Sequence, residues 1–209
     1  MNAFVTDGWR VVTTVRPGFS GSVPAGVVAV EADVTDPGQV SAAVSAAAGD
    51  GDAPLGAVVN AVGAYGSGGL VHETPVDDFE ALIRRNLRPT YLVTAAALPH
   101  LMAAGGGSVV CVSSRAAVAP FPGAAGYVTS KAAVLAFAGT VAVEYRSQGV
   151  RCNTVLPSVI DTAANRAAQP DADHSRWVPP ADIARVIRFL ASAGSAPTSG
   201  AQIPVYGRA

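Results

Sequence analysis

Short runs rich in valine and threonine alternate with longer helical runs along almost the whole chain, and that alternation leaves few folds open. The strand-like runs are Arg10–Val15, Val27–Glu31, Ala57–Val62, Ser108–Ser113, Arg151–Leu156 and Gln202–Val205. Between them the pattern predicts helices over Pro37–Ala48, Val76–Ala103, Ala124–Ser147 and Pro180–Ala191. Pro37 and Pro180 stand in first helical turns, where a missing N–H costs nothing, and Gly49 and Gly105 lie just past helix ends. A β/α alternation of this kind builds an α/β fold, a doubly wound parallel sheet covered by helices on both faces. The length of 209 residues suits one domain, residues 1–209, with no internal repeat and no interdomain linker.

Composition narrows the function classes. A net charge of −1 gives no electrostatic reason to expect nucleic acid or an anionic membrane surface as partner. No eighteen-residue apolar span and no leader are read in the sequence, so a cytoplasmic protein outside the membrane is expected. Cys111 and Cys152 sit in apolar strand-like runs and read as reduced core residues, and no metal ligands are assigned. Half of the residues are apolar and only 14% are charged, which is low for a solvated monomer. The run Ala124–Ser147 is apolar nearly all the way round, from Ala132 to Val143. A helix of that kind needs burial on two faces, one on the sheet and one on a neighbouring subunit, so a homodimer or homotetramer is expected.

Lys131 is the one lysine of the chain, since the other 13 basic side chains are arginines, and it follows Tyr127 by four residues. On a helix that spacing puts an ammonium one turn from a phenol. A cation within roughly 4–6 Å lowers a phenol's pKa by about 1–3 units from about 10. The pair therefore reads as a general acid or base, with an ordinary surface pair as the plain alternative.

These residues, with others in register, resemble the short-chain dehydrogenases/reductases. Tyr127 and Lys131 match the family's Y-x-x-x-K; Ser114, thirteen residues before the tyrosine, matches its serine; Asn86 matches the asparagine of its tetrad. Asn60-Ala61-Val62-Gly63 looks like its N-A-G turn, Asp33-Val34 like the pair beside the adenine, and Pro157 to Thr162, through Ile160, like its P-G-x-x-x-T segment. The resemblance implies a Rossmann-like fold and an NAD(P)-dependent oxidoreductase acting on a small-molecule carbonyl, alcohol or imine-like substrate. It also implies roles: Tyr127 exchanges the proton, Lys131 keeps the phenol acidic, Ser114 holds the substrate oxygen, and Asn86 holds a water that links Lys131 to solvent. Cofactor contacts are implied for Asp33, Val34, Asn60, Ala61, Gly63, Tyr127, Lys131, Pro157, Ile160 and Thr162. Arg16 follows the strand Arg10–Val15 where an acidic residue would bind a ribose diol, which favours NADP and leaves NAD possible. About twenty residues, Asp161 to Pro179, are similar to the lid of dihydropteridine reductase and keep a pterin as a minority substrate.

The resemblance fails at the start. Met1–Gly8 looks like the end of a helix, and the family's first strand and its glycine-rich phosphate turn are missing. The chain is expected to begin too late or to have lost that unit, with a slot left open between Arg10–Val15 and Ala57–Val62. Gly63, Gly66 and Gly68 follow the wrong strand for that turn and read as a flexible active-site loop. The competing reading is a catalytically silent homolog that serves as a binding or assembly partner.

Overall fold

The computed structural model describes residues 1–208. Its elements in chain order are α1 (Asn2–Thr6), β1 (Val11–Val15), β2 (Val27–Glu31), α2 (Pro37–Ala48), β3 (Ala57–Asn60), α3 (Val76–Ala103) and β4 (Gly107–Val112). Then follow α4 (Ala125–Glu144), β5 (Val150–Pro157), α5 (Ala163–Ala168), α6 (Pro180–Ala191) and β6 (Gln202–Val205). Helices α2, α3 and α6 occupy the expected ranges, and β1 begins one residue later than the pattern suggests. α4 ends at Glu144, and a 3-10 turn over Arg146–Gln148 completes the expected run. The lid-like segment Asp161 to Pro179 contains α5, started by Thr162, whose hydroxyl accepts from the Asn165 N–H at 3.2 Å.

All ladders are parallel, but the sheet is in two pieces. β1 pairs only with β2, and β3, β4, β5 and β6 form a second sheet in that order. The central pair β4 and β5 carries the core. Val109, Cys111 and Cys152 turn to α3 and α4, whereas Val110 and Val155 turn to α6, the two-residue alternation of a strand buried on both faces. Each buried valine or leucine here contributes roughly 1.5–3 kcal/mol over its exposed state. Gly126 lets α4 approach α3 closely, because a Cβ there would lie 3.0 Å from Leu82 and 3.3 Å from the Phe79 backbone.

Between β1 and β3 no ladder forms, and the gap expected there is present. A cavity of about 230 Å³ lies on the α2/α3 side of the gap and one of about 660 Å³ on the α1/α6 side. Both are walled by Val12, Thr13, Ala57, Val59 and Ala61, so they meet across the two strands. All five residues of β1 are half-exposed as a result.

One expectation is corrected: α4 is long and apolar enough, by length and composition alone, to cross a membrane. In the fold it is a core helix, with Val134, Ala138, Val141 and Ala142 buried against the second sheet. Its outer side leaves Val143 68% exposed and places Phe137 beside the half-exposed ring of Tyr91, 5.8 Å between centroids.

Candidate active site

The C-terminal ends of β3, β4, β5 and β6 lie side by side in the parallel sheet, and α4 is bonded to the end of β4. β4 delivers two serines of opposite aim. Ser113 is buried and donates to the Lys131 carbonyl at 2.8 Å, pinning α4 to the sheet. Ser114, next along the alternation, lies beside Tyr127, and its hydroxyl accepts from the Ala116 N–H at 3.2 Å. Arg115 follows with its guanidinium 5.1 Å from the ring centre of Tyr206, so the chain after β6 lies beside the chain after β4.

Tyr127 and Lys131 stand one turn apart on α4, as the spacing predicts. Their electrostatics differ from the expectation. Burial raises the Tyr127 phenol above its ordinary value, the Ser114 hydroxyl beside it pulls the other way, and Tyr65 adds a further raise. Lys131 is not among these influences. Lys131 as a whole is only 6% exposed, and its ammonium donates to the Val112 carbonyl at 3.0 Å. Burial lowers its pKa to about 8, opposed by the Cys111 thiol. The phenol acidified by a solitary ammonium is thus corrected. The lysine spends its charge on a backbone carbonyl, and desolvation dominates at the tyrosine.

Asn86 is fully buried, and its side chain is used up by protein partners. Its amide donates to the Ala64 carbonyl at 3.0 Å, the Leu82 carbonyl at 3.1 Å and Ser130 Oγ at 2.9 Å, while Oδ1 accepts from the Ala64 N–H at 2.8 Å. These bonds clamp the chain after β3. The loop read as flexible is held at two points, since the Gly68 N–H also reaches the Gly123 carbonyl at 2.7 Å. Gly63 is required by close approach: a Cβ there would lie 2.6 Å from Asn86 Oδ1 and 3.0 Å from Lys131 Nζ.

The remaining expected positions divide. Ala61 and Gly63 are exposed, whereas the Asn60 amide turns inward to Thr94 Oγ1 at 2.9 Å. Pro157 is buried, Ile160 is half-buried, and Thr162 spends its hydroxyl on the α5 cap. Asp33 and Val34 lie past β2, where the Asp33 carboxylate accepts from Thr35 at 2.8 Å and is held below its usual pKa by those bonds. Arg16 is exposed at the end of β1.

Two site residues escaped the sequence reading. Ser130, buried between the pair, donates to the Tyr127 carbonyl at 2.8 Å and receives Asn86. Tyr65 presents its ring edge-on to Tyr127, centroids 5.1 Å apart, and is 64% exposed. An aromatic inside a glycine-rich run was the available signal for Tyr65; nothing local marked Ser130.

A dinucleotide's two ends fare differently against these residues. A phenol, an ammonium, a serine hydroxyl and the open Ala61–Gly63 backbone make a donor set suited to a nicotinamide ribose. Toward the pyrophosphate, no glycine turn among the described residues leads from a strand at the gap into a helix N-terminus. β1 runs instead into Pro17, which has no N–H to give.

Comparison with known proteins bears on the family and the fold. A family model described as enoyl-(acyl carrier protein) reductase matches residues 3–207. The 2-(R)-hydroxypropyl-CoM dehydrogenase of Xanthobacter autotrophicus is 40% identical over 149 residues, 69% of this chain and 59% of that protein. The (3R)-3-hydroxyacyl-CoA dehydrogenase of Mus musculus is 32% identical over 215 residues, 96% of this chain and 83% of that protein. The solved structure of ElxO with NADP bound superposes with a TM-score of 0.88 at 25% identity, covering 99% of this chain and 90% of its own.

Proposed function

Since this chain belongs to the short-chain dehydrogenase/reductase family, we propose that it interconverts a secondary alcohol and its ketone with a nicotinamide cofactor, NADP in preference to NAD. The observation that carries the reading is Tyr127 with Ser114 beside its phenol and Lys131 one turn behind it. The cofactor, when bound, supplies or accepts the hydride. Tyr127, kept protonated at neutral pH by burial, donates the proton to the substrate oxygen in the direction of reduction. Ser114 hydrogen-bonds that oxygen as negative charge gathers there. Lys131 holds its ammonium at the Val112 carbonyl, where it suits a hydroxyl of the nicotinamide ribose. Asn86 and Ser130 act as positioning residues: the first holds the Ala64 backbone, the second fixes the turn that carries Tyr127. Arg16 at the end of β1 suits a 2′-phosphate, and Asp33 and Val34 flank the adenine side. Two relatives named for hydroxyl oxidation on CoM or CoA carriers support a secondary alcohol as the substrate class. The exposed apolar side of α4 suits a subunit contact in a dimer or tetramer.

NADPH oxidation against a ketone panel tests the reading. Tyr127→Phe is expected to lower turnover by about 10²–10⁴ while leaving the melting temperature nearly unchanged; equal turnover in the variant sinks the mechanism. The competing reading, a silent homolog that serves as an assembly partner, is the weaker one, since the relatives reported above are named as dehydrogenases. Saturable NADPH binding at micromolar concentration would remove it.

A further inference from the structure

We propose that Arg115, held over Tyr206, binds a terminal oxoanion of the substrate, a carboxylate in the simplest case, so that the ketone reduced is a short keto acid. This role rests on Ser114 and Tyr127 acting as read above. Arg115 is the next residue after Ser114, whose hydroxyl lies beside the Tyr127 phenol. Its guanidinium lies over the Tyr206 ring, 5.1 Å from the centroid. β5 lies between β4 and β6 in the sheet, so this contact crosses the C-terminal end of β5 at Pro157 and Ser158. The ring is itself anchored: Tyr206 is half-buried, and its carbonyl accepts from Ser158 Oγ at 2.8 Å.

A cation placed there has its charge to give. Among the described residues Arg115 enters no ion pair, and its side chain donates no hydrogen bond. The cations that follow β5 are engaged: Arg166 Nη2 donates to the Asp161 carboxylate at 2.8 Å, and Arg176 Nε to the Arg208 carbonyl at 3.3 Å. A guanidinium resting on an aromatic face keeps the N–H fork at its rim, the geometry that meets a carboxylate with two bonds. The ring also restrains the side chain before any ligand arrives, so less entropy is lost on binding. An exposed guanidinium without such an anchor gains little from one ion pair. Ser114 and Arg115 are consecutive, with Cα atoms about 3.8 Å apart, so a molecule that meets both carries its carbonyl and its anion a few carbons apart. The cofactor's phosphates are the other source of an oxoanion. β1, which leads to Arg16, lies beyond β3, whereas Tyr206 follows β6 at the opposite edge of the sheet.

The test uses the full chain with NADPH, levulinate as the keto acid and methyl levulinate as its uncharged counterpart. The ratio of kcat/KM for acid over ester should be at least about tenfold, as one charge-assisted contact provides. In Arg115→Leu the ratio should fall close to one, and in Arg115→Lys to an intermediate value. Most of the loss should sit in KM for the acid, the mark of a binding contact. Tyr206 is a positioning residue: Tyr206→Leu should lower the ratio by about threefold, and Tyr206→Phe, which keeps the ring face, should retain it. Binding is also read without turnover. The Arg115 Nε–H resonance in nitrogen-15 spectra, identified as the one that Arg115→Lys removes, should shift saturably with levulinate and not with the ester. The proposal is overturned by a ratio near one in the unaltered chain, by a ratio that Arg115→Leu leaves as it was, or by no resonance shift at millimolar levulinate. An equal shift with 2′,5′-ADP also overturns it, by assigning the guanidinium to the cofactor. Absence of turnover on every ketone, with the levulinate shift present, removes the oxidoreductase reading and leaves the anion site standing.

Discussion

At neutral pH the Lys131 side chain is an ammonium lodged against Gly63 and the Val112 carbonyl, and burial has brought its pKa from 10.5 down to about 8. The unfolded chain therefore holds a proton between about pH 8 and 10.5 that the folded chain has released, and stability rises with pH through that window. Below pH 8 the cost of the buried charge is fully present. Denaturant melts at both ends of the window should show the native chain gaining on Lys131→Met. Ketone reduction should run the other way, kcat/KM falling above about pH 8 as the ammonium is lost, with a flat profile in Lys131→Met. Gly63→Ala forces its Cβ onto Asn86 Oδ1 at 2.6 Å. It should cost about 1–3 kcal/mol in stability, read by thermal melts, and lower kcat as the clamp shifts. Tyr127, Lys131 and Ser114 were legible because one turn of helix and one strand end set their spacing. The partners of Asn86 were not, since they lie 22 and 44 residues away in sequence.

Arg151 shows what an element needs beyond its own propensity. From β5 its guanidinium donates to the carbonyls of Leu190, Ser192, Ser195 and Thr198, between 3.0 and 3.4 Å, closing the C-terminal end of α6. These carbonyls keep other donors, among them Ser108 Oγ at Leu190 and Asn153 Nδ2 at Thr198, but Arg151→Leu removes the charge-assisted bonds and should cost about 1–3 kcal/mol, measured as a lower melting temperature. The helix itself was readable, with Pro180 at its start and Ile183, Ile187 and Leu190 on one face. The short α5 was not, because six residues carry too little periodicity and a cap at Thr162 starts it. The glycine loop after β3 reads as mobile by composition, yet two tertiary hydrogen bonds hold it.

Across the molecule, stability should be uneven. β4 and β5 are buried on both faces, while β1 and β2 form a two-stranded sheet beside an open gap. Hydrogen exchange should be at least about a hundredfold faster at Val11–Val15 than at Val109–Cys111, because opening the smaller sheet exposes little apolar surface. Equal protection of the two would mean that the sheet acts as one unit. The alternation of strands and helices, their order and the tyrosine–lysine pair could be read from the chain alone, since each depends on residues within a few turns of one another. A raised phenol, an asparagine spent on its neighbours and a sheet in two pieces could not. These follow from desolvation and hydrogen bonding among segments far apart in sequence, and no local pattern carries that information.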